Sequence, residues 1–365
     1  MRGISNGRTS AAWRSAVELS GDAAVVEGPL TGAHHETYVF PLHTGHGGAR
    51  PVRWKCREAR VGLVRFDRRC FASEADVVRA VSPRVRRVPE FIEIGGAGLQ
   101  RFIEGETLAR LRPPGDLVPG ALVGQIVDVF RELASIQDRG VRIARGHGTA
   151  ERAADGDTAA ALDGLISFVE ESVYEAHAGT FGGLFGALGV DEGAFRRLRR
   201  FVSGLSERPF CLVHGDLHRE NLIVDASGEL WVIDWELAMF GDPLYDLATH
   251  LHLMRYPAAQ ARQVTGLWRA AVEEVRPGGS AALATDLPLL LGFKRAQSVF
   301  TDVIRGGLGL GAQGAPDTAR LWRTAAGLHG VLARGAVPLG LADVPSVRGV
   351  AAALADWCRG YPAQP

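Results

Sequence analysis

Cysteine is scarce in this 365-residue chain: Cys56, Cys70, Cys211 and Cys358 lie far apart, and no CxxC pair occurs. That spacing implies neither a disulfide framework nor a thiolate zinc site, and it fits a reducing compartment. Net charge is missing too, because 41 Lys and Arg balance 41 Asp and Glu. No global field therefore draws the protein to nucleic acid or to a membrane surface. No apolar run reaches the length of about eighteen residues that a membrane span needs. The opening MRGISNGRTSAAWRSAVELS is Arg- and Ser-rich and lacks a secretory apolar core, so residues 1–20 read as a frayed tail and the protein as cytoplasmic. No internal repeat is found.

What is present describes an ordinary globular protein, with 46% hydrophobic and 22% charged residues. The length suggests two lobes. Charge is uneven locally: residues 50–101 hold thirteen Lys and Arg against six Asp and Glu, whereas residues 151–192 hold nine acids against one Arg.

The chain is organised around residues 211–246, CLVHGDLHRENLIVDASGELWVIDWELAMFGDPLYD. Leu222-Ile223-Val224 and Leu230-Trp231-Val232-Ile233 flank the turn-forming Asp225-Ala226-Ser227-Gly228, which predicts a β-hairpin. Asp216 and Asn221 precede its first strand and Asp234 ends its second, so the hairpin returns Asp234 to Asn221. Two carboxylates and an amide oxygen gathered this way suit a hard, oxygen-seeking cation such as Mg²⁺. The spacing also fits the His-x-Asp-x-x-x-x-Asn loop of kinases, with Asp234 as the second metal-binding Asp. Asp216 would then accept the proton of a substrate hydroxyl. Gly215 replaces the Arg of protein kinases, and Trp235-Glu236 stands in place of Phe-Gly.

Taken in order, His214-Gly215-Asp216-Leu217-His218, Asn221, Ile233-Asp234-Trp235-Glu236, Gly241-Asp242-Pro243 and Asp246-Leu247-Ala248 resemble the aminoglycoside phosphotransferase family, to which choline kinases are related. The resemblance covers roughly residues 25–305. It implies an α+β, protein-kinase-like bilobal fold, with a small β-rich amino-terminal lobe at 21–104 and a larger, mainly helical lobe at 105–365. It also implies ATP or GTP with Mg²⁺, held by Asn221 and Asp234, and phosphoryl transfer to a small-molecule acceptor at Asp216. His214 is expected to support the catalytic loop through hydrogen bonds, and Asp246 to brace it.

Several positions in the smaller lobe follow from the same likeness. The turn in Gly28-Pro29-Leu30-Thr31-Gly32 falls where a loop covers the triphosphate, which makes Thr31 and Gly32 candidates. His34 and His35 read as turn residues. In the strand Val52-Arg53-Trp54-Lys55-Cys56-Arg57-Glu58, Lys55 and Arg57 lie two apart and share a face. Either could hold the non-transferred phosphates, with Arg57 preferred. Ser73 caps a helix whose apolar face includes Val77, Val78 and Val81, and the resemblance makes Glu74 the acidic partner of the strand cation. Strands around Gly95-Gly96-Ala97-Gly98 lead to Arg101, Phe102 and Ile103, which would line the adenine edge.

Helical periodicity covers 117–137, 159–177, 258–275, 286–304, 316–333 and 346–358, and Gly306 to Gly314 reads as a loop. Glu170, Glu171 and Glu175 lie where this family carries part of its acceptor surface, which allows for a cationic acceptor. The first reading is an antibiotic kinase acting on an aminoglycoside, a basic peptide or a nucleoside antibiotic. The second is a metabolic kinase for choline, an amino alcohol, a sugar or homoserine, and the third a non-catalytic nucleotide-binding scaffold. A monomer or a homodimer is expected, with neither nucleic acid nor membrane as partner.

Overall fold

The computed structural model describes residues 10–30, 35–42, 52–60, 66, 68–146, 153–311 and 317–360. Its smaller part is one antiparallel sheet built from β1 (Glu27–Leu30), β2 (His35–Leu42), β3 (Val52–Ala59), β4 (Phe91–Ile94) and β5 (Ala97–Arg101), in the order β1-β2-β3-β5-β4. Alternation along β3 sorts its two faces. Trp54 and Cys56 enter a small core with Tyr38, Phe40 and Leu99, while Lys55 and Arg57 lie only partly enclosed on the other face. β4 and β5 are joined by Gly95 and Gly96, with φ of 59° and 80°. A two-residue turn with both residues left-handed matches the twist of a hairpin, and glycine enters that region without strain.

The tail expected over residues 1–20 is corrected for its second half, where Ala11–Ser20 forms α1. Ser10 caps it by accepting from the Trp13 N–H at 3.1 Å. Ala12 and Ala16 are buried against the sheet, and Trp13 meets Tyr38 edge-on at 5.6 Å between ring centroids. Its small residues allow close contact with β2 and β3, and the Ala12 N–H donates to Glu58 Oε2 at 3.1 Å. Composition concealed this amphipathic face behind Arg and Ser.

α2 (Glu74–Val81) is capped by Ser73 and buries Val77, Val78 and Val81. After β5 the chain passes through residues 102–104 into β6 (Gly105–Thr107), which pairs with β8 (Leu222–Asp225) rather than with the first sheet. β8 pairs in turn with β9 (Leu230–Val232), and β7 (Cys211–Val213) pairs with β10 (Met239–Gly241). The remainder is helical: α3 (Leu108–Leu111), α4 (Gly120–Ala134), α5 (Thr158–Phe168), α6 (Ala178–Ala187), α7 (Ala194–Phe201), α8 (Pro243–Met254), α9 (Ala258–Val275), α10 (Leu283–Gly311), α11 (Thr318–Leu339) and α12 (Val347–Gly360). The architecture is thus the small β-rich lobe and larger helical lobe that the resemblance implied. A continuous apolar core runs from Val77 on α2 through α4, β7 and α8 to Leu354 on α12.

Two further expectations change in detail. The segment from Gly306 is helical as far as Gly311, with Gly307 against Phe181 and Trp357, where a larger residue would not fit; residues 312–314 lie outside the described residues. The expected helix over 159–177 changes winding, with a π-helical stretch at Val169–Tyr174 after α5. Among the described residues no helix is long and apolar enough to cross a membrane.

Candidate active site

The β8–β9 hairpin brings the two halves of the site together. Leu222 pairs with Val232, and the Ile233 N–H donates to the Asn221 carbonyl at 3.0 Å. Asp234 follows directly, with φ of 64°. A left-handed Asp costs conformational energy, and such strain gathers where geometry serves a site. Residues 226–229 connect the two strands, and Asp225 Oδ1 accepts from the N–H groups of Ser227 and Glu229 at 2.9 and 3.0 Å.

The loop between β7 and β8 holds Asp216. Asn221 Nδ2 donates to the Asp216 carbonyl at 2.9 Å and to its Oδ2 at 3.0 Å. His218 Nε2 lies 3.3 Å from the same oxygen. Oδ1 of Asp216 takes no partner among the described residues and is left for a proton donor. Burial works against the charged form of His218, but Asp216, with Glu220 and Asp234 behind it, outweighs burial and raises its pKa. Gly215 has φ of 78°, and a Cβ there would lie 2.6 Å from the Leu237 carbonyl oxygen. The Arg of protein kinases therefore has no room at this position.

His214 is fully buried. Its Nε2 donates to the Ile233 carbonyl at 3.2 Å and its Nδ1 accepts from the Asp216 N–H at 3.3 Å. With both ring nitrogens engaged and burial pushing its pKa down to about 4, it is a neutral strut rather than a base. Asp246, at the start of α8, accepts from the N–H groups of His214 and Gly215 at 3.0 and 2.9 Å. Burial raises its pKa to about 6 despite these bonds. It shapes the loop from below.

On the sheet side, Arg57 forms an ion pair with Glu74 at the start of α2. Glu74 Oε1 also accepts from the Trp235 N–H at 3.0 Å, so one carboxylate ties the strand cation to the residue after Asp234. Lys55 faces the same space. Burial and the neighbouring Arg57 push its ammonium down to about 7, against the pull of Asp234. Burial and Glu236 raise the pKa of Asp234, while Arg57 opposes them. A desolvated carboxylate is a good place for a cation.

The residues fit Mg²⁺. Among the described residues no group of three His, Cys, Asp or Glu could hold a metal by itself. Mg²⁺ does not require one, because it commonly takes one or two protein carboxylates and completes its shell with water and phosphate oxygens. The Asn221 amide nitrogen is committed to Asp216, which leaves its oxygen to join Asp234.

At the lobe boundary the three adenine-edge candidates differ. The Arg101 N–H donates to Glu90 and the Phe102 N–H to Arg53, at 2.8 and 2.9 Å. Of the three, Ile103 has the N–H with no partner among the described residues. Phe102 lies under the Arg53 guanidinium, 4.8 Å from its ring centroid. Thr31 and Gly32 lie outside the described residues. His35, read from sequence as a turn residue, begins β2 and contacts Glu236 at 3.1 Å. Arg69 pairs with the same carboxylate. Glu236 thus joins the loop after Asp234 to β2 and to residue 69, a link with no local pattern to announce it.

Beside Asp216 lies a cavity of about 130 Å³ lined by Gly215, Arg68, Tyr245, His252, Lys294 and other α10 residues. Glu170, Glu171 and Glu175 do not line it. Glu170 pairs with Arg199 at 2.6 Å, and Glu170 and Glu175 border a different depression with Tyr174 and Arg197. These three acids are therefore not part of the wall of the Asp216 cavity, to which the same segment contributes Leu165 and Phe168.

The model of the family described as Phosphotransferase enzyme family (APH) matches residues 44–281, more than half of the chain. No curated protein matches. Solved structures to which the chain is similar include aminoglycoside phosphotransferase APH(4)-Ia, a thermostable mutant in complex with ADP and hygromycin B. It is 16% identical, with 94% of this chain and 99% of that one covered and a TM-score of 0.48. Macrolide 2'-phosphotransferase MphH from Brachybacterium faecium is 15% identical, with 84% and 93% covered and a TM-score of 0.47. A choline/ethanolamine kinase family protein from Mesorhizobium loti is 16% identical, with 94% and 98% covered and a TM-score of 0.45.

Proposed function

The chain belongs to the phosphotransferase enzyme family, and from that membership we propose a Mg²⁺-dependent transfer of the γ-phosphoryl group of ATP or GTP to a hydroxyl of a small molecule. The enzyme is a small-molecule kinase, and the observation that carries the detailed reading is the convergence of Asp216, Asn221 and Asp234. Asp216 Oδ1 orients the acceptor hydroxyl and takes its proton. Asn221 and His218 hold that carboxylate in place from its other oxygen. Mg²⁺ on Asp234 and the Asn221 oxygen would neutralise charge on the phosphates. Arg57, fixed by Glu74, and Lys55 hold the non-transferred phosphates, and the Ile103 N–H donates to the adenine edge. Such a site works by positioning and charge neutralisation, because phosphoryl transfer has a loose transition state.

The test is nucleotide consumption with Mg²⁺ across antibiotics, amino alcohols, sugars and hydroxy acids, with mass spectrometry of each acceptor. Antibiotics belong in that panel on the sequence resemblance. A product heavier by one phosphoryl group is expected, and EDTA should prevent its formation. Nucleotide binding with no product from any acceptor class would contradict the reading in favour of a scaffold.

Lys55 supplies a pH signature. Its pKa near 7 means that the free enzyme loses this positive charge as pH rises, whereas bound phosphate favours the charged form. The last ionisation of a phosphate, near about pH 6, is largely complete above pH 7, so affinity should fall as pH climbs from 7 to 9, by up to about tenfold per unit. Lys55→Arg should flatten the profile. Calorimetric titration of a non-hydrolysable nucleotide would measure both, and a flat wild-type profile would show that Lys55 does not couple its titration in this range to phosphate binding.

A further inference from the structure

The cavity beside Asp216 has a charge pattern that speaks to the acceptor. On α10 the residues Lys294, Gln297, Ser298, Thr301 and Arg305 follow helical spacing and all line it. The same helix buries Phe293, Ala296, Val299 and Phe300 on its other side, so this is a polar stripe on an otherwise apolar element. Lys294 is 8% exposed. Its Nζ reaches Gln297 Oε1 at 2.7 Å and the Tyr245 hydroxyl at 3.5 Å. No carboxylate lies within ion-pair distance of it among the described residues. A buried ammonium without an anionic partner is costly. Asp246 interacts with it only through longer-range charge.

The other charges of the cavity are Arg68, Arg305 and Asp216. Arg305 is 3.6 Å from Asp302, which offsets it. His252, donating to or accepting from Ser298 at 3.0 Å, has its pKa pushed down to about 4 by burial and then by Lys294, Arg255, Arg295 and Arg334. Lysine is also rare in the chain: Lys55 and Lys294 are its two lysines, and every other basic residue counted in the charge balance is Arg. Both face the catalytic cleft.

A second chamber of about 390 Å³ adjoins this one and shares Arg68, Leu165, Met239 and Tyr245 with it. Its walls include Phe71, Ile143, Leu162, Phe210, Phe240 and Leu290. Asp138, Arg142 and Arg145 also line it, and its Asp242 is committed to Arg208. A mostly apolar space of this size, with a few polar groups among its walls, is the common form of a small-molecule site.

Resting on the kinase reading above, we propose that the acceptor is an amphipathic molecule with a hydroxyl at Asp216, an anionic group at Lys294 and an apolar portion in the adjoining chamber. A hydroxy fatty acid of medium length has this chemistry, and a hydroxyalkyl phosphate shares it. A polycationic acceptor does not, because it would set its ammonium groups against Lys294. The transfer itself is ordinary: the acceptor O–P bond forms, the bond from γ-phosphorus to the bridging oxygen breaks, the nucleoside diphosphate leaves, and the hydroxyl proton passes to Asp216.

The experiment compares phosphorylation of medium-chain hydroxy acids, hydroxyalkyl phosphates, diols of equal length, amino alcohols and aminoglycosides. The anionic acceptors should be used and the diols poorly used, and the ratio of the two anionic classes identifies the source of the charge. Lys294→Met should raise the KM of the anionic acceptor at least about tenfold, with a smaller change in kcat. Lys294→Arg should recover part of the loss. Ala161→Trp, which narrows the chamber, should discriminate against longer chains and gives an independent readout if Lys294→Met fails to fold. Equal use of diols, turnover confined to aminoglycosides, or an unchanged KM in Lys294→Met would overturn the assignment while leaving the kinase intact. Absence of turnover with every acceptor, in wild type and Asp216→Asn alike, would instead remove the kinase reading and this inference with it.

Discussion

Asp216→Asn should lower the rate of phosphotransfer by roughly 10²–10⁴-fold, the usual contribution of a positioned general base, and leave nucleotide affinity close to that of the wild type. Asparagine keeps the volume and can still accept from Asn221 and His218, which hold the side chain through Oδ2. What it loses is the oxygen that takes the hydroxyl proton and the negative charge that orients it. The change should appear in kcat more than in KM, because the interaction strengthens as the proton moves. Steady-state kinetics with the acceptor identified in the panel, together with calorimetry of nucleotide binding, separate these terms. A rate within about threefold of wild type would place the catalytic base elsewhere.

The second large effect concerns stability. Arg208→Met should destabilise the protein by about 3–5 kcal/mol, because it leaves two buried carboxylates without their counter-charge. The Arg208 side chain is fully buried. Its Nε and Nη2 reach Asp242 at 2.9 and 2.7 Å, and its Nη1 reaches Asp286 at 2.6 Å and the Ala281 carbonyl at 3.1 Å. Asp242 also caps α8, where its Oδ1 accepts from the Leu244 N–H at 2.8 Å. α8 carries Asp246, which holds the loop of His214 and Gly215. Loss of Arg208 should therefore lower activity as well as the unfolding midpoint. Denaturant unfolding of the two proteins gives the difference. A change below about 1 kcal/mol would mean that water or a rearranged partner replaces the guanidinium.

Asp286 adds a pH dependence to this cluster. Burial acts to raise its pKa, but Arg208 and the Ser206 N–H prevail and hold it below the usual carboxylate range. A depressed carboxylate contributes stability that is present above its unfolded pKa and is lost as pH falls through its folded one. The contribution of the Arg208 cluster should thus fade on the acid side.

Much of the candidate site's geometry was legible because its residues lie close in sequence or obey simple spacing. Asp216, Asn221 and Asp234 occur within one hairpin and its flanks, and the β8–β9 pairing brings them together by local geometry. Lys55 and Arg57 share a face because a strand has period two, and Ser73 marks the start of α2 because its hydroxyl caps a helix. The periodic helix over 258–275 coincides with α9. By contrast, α1 was hidden: its buried face is two alanines and a tryptophan amid Arg and Ser, and burial against a sheet formed later in the chain is what stabilises it. The alignment of Arg57 rather than Lys55 with Glu74 was open in the sequence, because both side chains point the same way. The start of α2 decides it.

The sequence by itself determined the family, the two-lobed α+β class and the candidate set Asp216, Asn221 and Asp234 that we assign to phosphoryl transfer, since these reside in contiguous words and short periods. Only the tertiary structure decided the shape and lining of the cavity beside Asp216. Arg68, Leu165, Met239, Tyr245, His252 and Lys294 come from separate elements and connections and converge on Asp216 only when α8 and α10 pack together. Helical periodicity reveals which face of α10 is polar. What that face meets depends on packing between segments far apart in the chain, and no local pattern encodes it.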